Sequence, residues 1–506
     1  MRNKKGSITS DCNSTNKHML LRKSRKNRGL QLFSIVGIFF IVLITAVAIY
    51  QSHKPMPPGM SMEGPIHTVS DEDIQFLSDL TYKEEGTTTT TTTKQEQMIF
   101  ERIYQAIDEA EQFIVMDMFL YNGFHKKDQT FPPLSRTLTD KLIAAKVKRP
   151  QLNIAVISDE INTSYGSSQA TELERLRAAG IPSVITDVNP LRDSTPVYSA
   201  GWRIFAQWFG QSGHGWLPNP LADQAPDMTV RSYLKLLNVK ANHRKVIITD
   251  KTLIVPSANA HDASFYNSNS GFAVNGDIGG DALLSERAAI QSHAEMQLPT
   301  YKPAGQEKGN IQVRLLTEGK VYQHVLEEIA ATQSGDTLWM GMFYLADRKV
   351  IKQLLEASTR GVQLRLVLDP NENAFGNDKI GLPNRPVAAE LKTKSEGQIQ
   401  IRWYNTTKEQ YHTKLMFIEK NDRVVIQNGS SNFTTRNLDD LNLESNLEIT
   451  APLDSGVAQQ VRSYFDRIWN NKGAPFTLDY AAYEDKTVFI KRLMYTIQNW
   501  LRLTTY

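Results

Sequence analysis

Tyr411-His412-Thr413-Lys414-Leu415-Met416-Phe417-Ile418-Glu419, a short polar turn, then Gln427-Asn428-Gly429-Ser430-Ser431-Asn432 reads as a strand, a reversal and a returning strand. Alternation on a strand puts His412 and Lys414 on one face. A buried imidazole beside a buried ammonium is costly unless an anion sits between them. Asn421-Asp422 marks the turn, and Val424 to Ile426 is the return. Gly429 to Asn432 brings small hydrogen-bonding side chains back to the same end. The product is a cup of donors around an imidazole, suited to a phosphate group.

A second copy lies upstream. Asn242-His243-Arg244-Lys245-Val246-Ile247-Ile248-Thr249-Asp250 is followed by Ser257-Ala258-Asn259. Both copies read His, any residue, Lys, four residues, an acid, then Ser-x-Asn. Duplication in matching context is independent support for each copy.

The flanking elements repeat as well. In the first half a helix pattern over Met98 to Ala110 precedes a buried strand, Phe113 to Tyr121. A further helix leads to the strand Leu152 to Ile157, ending at Ser158-Asp159. In the second half the helix is Val321 to Thr332 and the strand Thr337 to Leu345. A helix around Val350 to Ser358 then leads to the strand Gln363 to Leu368, ending at Asp369-Pro370. The alternation predicts an α/β fold with a substantially parallel sheet and helices on both faces. Two such homologous halves, packed face to face, would share one central cleft.

The halves are unequal. Asp117 to His243 is 126 residues and Gly341 to His412 is 71, so the first carries about 55 more, mostly between Asn189 and Tyr233. This insert, about 190–233, holds Tyr198, Trp202, Phe205, Trp208, Phe209, Trp216 and Tyr233. An extra packed subdomain is one reading. A lid or lipid-facing rim is the other, because Trp and Tyr favour the membrane interface.

Residues 30–50 are almost wholly apolar and uncharged, long enough to cross a bilayer. The basic tail 1–29 before them predicts a cytoplasmic N-terminus and an extracytoplasmic body. The alternative is a cleaved signal peptide, with Ala46-Val47-Ala48 as the cleavage site. The organisation then runs through a linker with the threonine run Thr87 to Thr93 (51–96), half 1 (97–305), half 2 (306–472) and a C-terminal segment (473–506). In that last segment Val488 to Leu503 is amphipathic and basic, a core-capping helix or a membrane-surface one.

Cys12 is the one cysteine, so neither an intrachain disulfide nor a cysteine-based metal site is possible. The net charge of +3 is misleading. Residues 1–30 carry nine Lys or Arg against Asp11 alone, a surplus of eight, which leaves −5 on the remainder. A mildly acidic body disfavours sequence-independent nucleic-acid binding.

The paired motifs resemble those of the phospholipase D superfamily, over roughly residues 97–470. The anchored layout resembles bacterial cardiolipin synthases, although those usually carry two N-terminal transmembrane helices and this chain has one. The resemblance implies a metal-independent, cofactor-free phosphodiester exchange on a phospholipid. One histidine forms a phosphohistidine, and the other protonates the leaving alcohol and activates the incoming one. By the family's order His243 is the nucleophile and His412 the acid. Lys245 and Lys414 complete the motifs with Asp250 and Glu419, and Ser257, Asn259, Ser430 and Asn432 hold the phosphoryl oxygens.

The sequence departs from the family pattern twice. Glu419 stands where the family has Asp, at opposite strand parity to His412, which suits a structural part. The family's histidine-orienting acid is filled by Glu444, but Asn267-Ser268-Asn269-Ser270-Gly271 in the first half has no acid. A partner crossing between the halves is left open. His214 and His261 read as ordinary. A nuclease and a non-catalytic anionic-lipid-binding module are the competing functions. The acceptor, water or an alcohol, is not written in the sequence, and no obligate protein partner is implied.

Overall fold

The computed structural model describes residues 11–84, 92–293, 295–303, 305, 308–374, 377–484 and 488–501. The repeated halves are built from the same succession. The helix Ile99–Glu109 buries Ile99, Ile103 and Ile107, one stripe at a spacing of four. The strand Phe113–Met118 follows, buried on both faces, which explains its unbroken apolar run. The helix Leu134–Lys148 crosses over to Asn153–Ser158. The second half repeats this with Gly319–Ala330, Thr337–Met342, Arg348–Thr359 and Gln363–Leu368. Asp347 starts its crossover helix by accepting the amides of Lys349 and Val350.

Each half forms one sheet. Across the first, the strands lie in the order Thr92–Glu96, Ile74–Glu84, Asn269–Asn275, Thr252–Pro256, Lys245–Thr249, Phe113–Met118, Asn153–Ser158, Ser183–Ile185. Across the second they run His67–Val69, Ile311–Thr317, Ser445–Pro452, Arg423–Gly429, Lys414–Glu419, Thr337–Met342, Gln363–Leu368, Gln400–Tyr404, Thr477–Asp479. The expected α/β architecture is present, but the sheets are mixed. Only three strands in each are mutually parallel. The remainder pair antiparallel, because the motif hairpins return directly without a crossover helix.

The sheets face each other. Val246, Ile248, Val255, Phe272 and Val274 from the first share one core with Leu415, Phe417, Ile426, Leu447 and Ile449 from the second. Each outer face packs its own helices. Met118 pairs with Lys245 and Met342 with Lys414. Both motif histidines therefore emerge at the carboxyl ends of the parallel strands, where open α/β sheets bind ligands.

The expected linker changes. Residues 51–96 are not a linker throughout: His67–Val69 joins the second sheet and Ile74–Glu84 the first. Ile74, Phe76 and Leu80 alternate into the core, a period-two signal. The threonine run lies outside the described residues up to Thr91, and Thr92 and Thr93 begin a strand. The basic N-terminal stretch, from Asp11, is part of one helix that continues to His53. Within it Gln31–His53 is long and apolar enough to cross a membrane. At the other end the helix Val488–Leu501 sets Tyr495 into the second half's outer core, its hydroxyl donating to Ala346 O at 2.6 Å. Arg502 and Leu503 lie outside the described residues.

Candidate active site

The two motifs are exchanged across the interface between the halves. The His243 amide donates to Leu443 O at 2.9 Å, and the His412 amide donates to Ser268 O at 2.8 Å. The residue before each histidine is held by the acid that ends a parallel strand. Asp159 Oδ2 accepts the Asn242 amide at 2.7 Å, and Asp369 Oδ2 accepts the Tyr411 amide at 2.6 Å. Burial pushes both acids up to about 7, against the opposing pull of these amides.

The side-chain partners cross as well. His243 Nδ1 lies 2.9 and 3.0 Å from the two carboxylate oxygens of Glu444, in the second half. His412 Nδ1 lies 3.2 Å from Asn269 Oδ1, in the first. Glu444 therefore does face a histidine, and the missing first-half acid is an asparagine amide. A carboxylate against Nδ1 favours the tautomer protonated there, leaving Nε2 as the basic nitrogen.

Beneath each ring sits its lysine. Lys245 Nζ donates to His243 O and Lys414 Nζ to His412 O, each at 2.7 Å. Each ammonium also lies over an aromatic ring, Lys245 5.0 Å from the centre of Phe119 and Lys414 5.4 Å from that of Phe343. The same rings flank the imidazoles, at 4.7 Å for His243 and 5.1 Å for His412. Phe119 and Phe343 occupy matching places in the repeat, so aligning the halves was enough to find them.

Burial dominates the electrostatics. It holds both imidazoles well below their ordinary range, and Lys245, Lys414 and neighbouring cations add to the effect. It brings Lys245 down to about 7, while the Glu444 charge resists. Lys414 is pushed well down by burial and then by the Lys245 charge. Burial raises Glu444 to about 7, opposed by Lys245, Ser430 and Asn437. Two lysines and two imidazoles are thus concentrated in one buried place, and an anion entering it would favour the charged form of all four.

Four of the motif residues stand away from the cleft: Asp250, Ser257 and Ser430, and Glu419, whose place fits the structural part expected of it. Asp250 accepts the amides of Glu111, Gln112 and Phe113, fixing the turn into the first parallel strand. It is seven residues past His243, roughly 23 Å along an extended chain. Glu419 is paired with Arg462 Nε at 2.7 Å, on the far end of its own strand. Ser257 and Ser430 are fully buried beneath the histidines' partners. Ser257 donates to Asn269 Oδ1 at 3.2 Å, and Ser430 to Glu444 Oε2. Their oxygens accept the amides of Ser270 and Ser445, so the hydroxyls brace the site and do not face a phosphate.

Asn259 and Asn432 do line the cleft, together with His243 and His412. The cleft has a cavity volume of about 230 Å³, and Leu221 of the insert, with Leu236, Leu237 and Val239 just after it, lines its wall. Lys240 is also on the wall, anchored to Asp193 and to Leu191 O, both at 2.6 Å. His261 reaches the cleft with both ring nitrogens engaged, by Phe124 O and Ser264 Oγ. His214 is exposed on its loop. Arg436, absent from the expected set, lines the cleft where the first half has Ala263, and its charge bears on His243. Among the described residues no cluster of three metal-ligating acids, histidines or cysteines occurs.

Residues 325–469 match the family model described as "Cardiolipin synthase, PLD-like domain". The phosphatidylserine synthase of Haemophilus influenzae Rd KW20 is similar in fold, with a TM-score of 0.53 at 13% identity, over 87% of this chain and 95% of that one. Nuc from Salmonella typhimurium, a phospholipase D family member, is 20% identical over 34% of this chain and 99% of that one, with a TM-score of 0.27. No curated protein matches the chain. Residues 325–469, in the second half, are thus similar to the cardiolipin synthase PLD-like domain, and the chain as a whole is similar in fold to the phosphatidylserine synthase.

Proposed function

We propose that the chain is a membrane-anchored phosphodiesterase or phosphatidyltransferase that acts on phospholipid headgroups through a phosphohistidine. The observation that carries this is the crossed pair: two imidazoles on one cleft, one held by a carboxylate and the other by an amide. His243 Nε2 attacks phosphorus while the bond to the headgroup oxygen breaks, and His412 gives that oxygen its proton. Water or an alcohol then loses its proton to His412 and attacks. The P–N bond breaks, and its electron pair returns to His243.

Glu444 suits His243 to the nucleophile's part, because the phosphorylated ring is cationic and a carboxylate stabilises it. The neutral Asn269 leaves a protonated His412 more acidic and so a better donor. Lys245 and Lys414, with Asn259 and Asn432 on the cleft wall, balance the phosphoryl charge. The apolar wall from Leu221 in the insert and Leu236, Leu237 and Val239 just after it favours acyl chains over a nucleic-acid backbone. The helix Gln31–His53 serves as the anchor, with the basic tail cytoplasmic and the body outside.

The test incubates the full chain in lipid vesicles with mixed phospholipids, with and without a primary alcohol, in EDTA. Phosphatidic acid or the phosphatidyl-alcohol adduct, formed by the native chain and not by His243→Ala or His412→Ala, is the expected result. Cleavage of DNA without lipid turnover would replace this reading with a nuclease. Turnover of neither substrate would make the chain a binding module.

A further inference from the structure

The apolar N-terminal helix does not stand clear of the body. Its outer part runs antiparallel to the insert helix Pro196–Phe205. At one end Gln51 O accepts the Asp193 amide at 3.1 Å, and Lys54 O accepts Arg192 Nε at 3.0 Å. At the other, the rings of Phe40 and Phe205 meet at 5.5 Å. From Phe40 to Gln51 is about 17 Å along the helix axis.

That contact fixes depth. The cations Arg22 to Arg28 prevent the apolar segment from sliding towards its N-terminus. With Gln31–His53 across a hydrocarbon core of about 30 Å, Phe40 lies well inside it. Whatever touches Phe40 lies there too, and Phe205 does.

The insert's surface fits such a place. Of its aromatic residues, Trp202 is buried and the hydroxyls of Tyr198 and Tyr233 bond within the insert, to Leu234 O and Pro218 O. Trp208, Phe209 and Trp216 instead point outward, 75, 67 and 67% exposed. An aromatic side chain left in water forgoes about 1.5–3 kcal/mol of burial, so three on one insert need a cover. The nearby cations are met internally. Arg203 turns back to Asp193, at 2.8 and 3.0 Å, and Arg231 bonds to the carbonyls of Phe209 and Ser212. Leu237 is both exposed and on the cleft wall, so the apolar surface continues into the cleft.

We propose that the outward aromatic face of the insert is embedded in the outer leaflet beside the anchor. It is a second membrane-inserted element that does not cross, and it opens the cleft to lipid within that leaflet. This rests on reading Gln31–His53 as a membrane span.

The test uses the full chain with Cys12→Ser in phosphatidylethanolamine–phosphatidylglycerol vesicles. Single cysteines carry a nitroxide label at Trp208→Cys and, separately, Phe209→Cys. Ile41→Cys in the anchor and Val147→Cys, exposed on the helix Leu134–Lys148, are the references. Collision rates with oxygen and with a water-soluble nickel chelate are read at each site. The expected oxygen-to-nickel ratio at 208 and 209 is close to that at 41 and severalfold above that at 147. Values matching 147, with 41 still in lipid, overturn the insert's embedding alone. An aqueous value at 41 overturns the anchor and this inference together.

Discussion

Between His243 and Lys245 stands Arg244, fully buried and bonded to Glu318 at 2.6 Å and Glu286 at 3.3 Å. Between His412 and Lys414 stands Thr413, whose hydroxyl lies 3.5 Å from that of Tyr464. One strand over, Asp117 accepts two bonds from Asn242 Nδ2, whereas the matching residue in the second half is Gly341, against which Tyr411 packs. At these positions the neighbours of His243 are charged and the matching neighbours of His412 are neutral, although both imidazoles also feel Lys245 and Lys414. The backbone frame is common to both: an acid holding the preceding amide, a lysine on the histidine carbonyl, a phenylalanine against the ring. A duplicated scaffold has kept its geometry while its two copies diverged in electrostatics, and that divergence is what would let similar imidazoles take unlike roles.

The largest test of this asymmetry is removal of each histidine. His243→Ala and His412→Ala should each lower kcat by several powers of ten on a natural phospholipid. With a p-nitrophenol leaving group, which needs no protonation, His412→Ala should recover a burst of nitrophenol and His243→Ala should not. Equal bursts would mean the histidines are interchangeable. Next comes the crossed partner. Glu444→Gln should cost about 10²- to 10⁴-fold in kcat, as loss of a buried carboxylate on a catalytic imidazole does elsewhere. Asn269→Ala should cost less, and steady-state kinetics on both would rank them.

Arg244→Met tests the charged half's stability. Stranding Glu318 and Glu286 without their cation should cost about 3–5 kcal/mol, seen as a lower unfolding midpoint in denaturant, where Thr413→Val should be nearly silent. Gly341→Ala tests the neutral half. An added Cβ would meet the Tyr411 hydroxyl and lie 3.2 Å from Thr413 Cγ2, an overpacking cost of about 1–3 kcal/mol. Tyr411→Phe in the same chain should restore most of it.

The smallest effect is on pH. Lys245, brought down to about 7, is partly neutral in the empty site at neutral pH and must be charged to hold a phosphate-like anion. Vanadate binding should therefore take up a proton and weaken as pH rises above 7, by up to about tenfold per unit. Calorimetry in two buffers of different ionisation enthalpy would count the protons.

Much of this was legible locally. The motif hairpins and the matching Phe113–Met118 and Thr337–Met342 strands follow from spacing and periodicity, each of those two strands ending three residues before its expected end, whereas the motif strands begin at Lys245 and Lys414, so each histidine stands just before its strand and not on it. What crosses between the halves was not legible. Glu444 is 201 residues from His243, and Asn269 is 143 from His412, so no local period links them. The serines misled for the same reason: Ser257 and Ser430 look like phosphate ligands until their hydroxyls are found engaged by those crossing partners. Asp250 and Glu419 belong to the motif by spacing but to the sheet's far end by geometry. Ile74–Glu84 was hidden by the polar residues interspersed along it, of which Asp79 and Thr81 are nevertheless buried.

Rapid acid quench of the full chain turning over a phospholipid, followed by peptide mass spectrometry, tests the central claim most directly. The account predicts a phosphatidyl group on His243, absent from His412 and absent in His243→Ala. A phosphorylated His412 with an unmodified His243 would contradict the assignment, and turnover that leaves neither histidine modified would contradict the covalent mechanism itself.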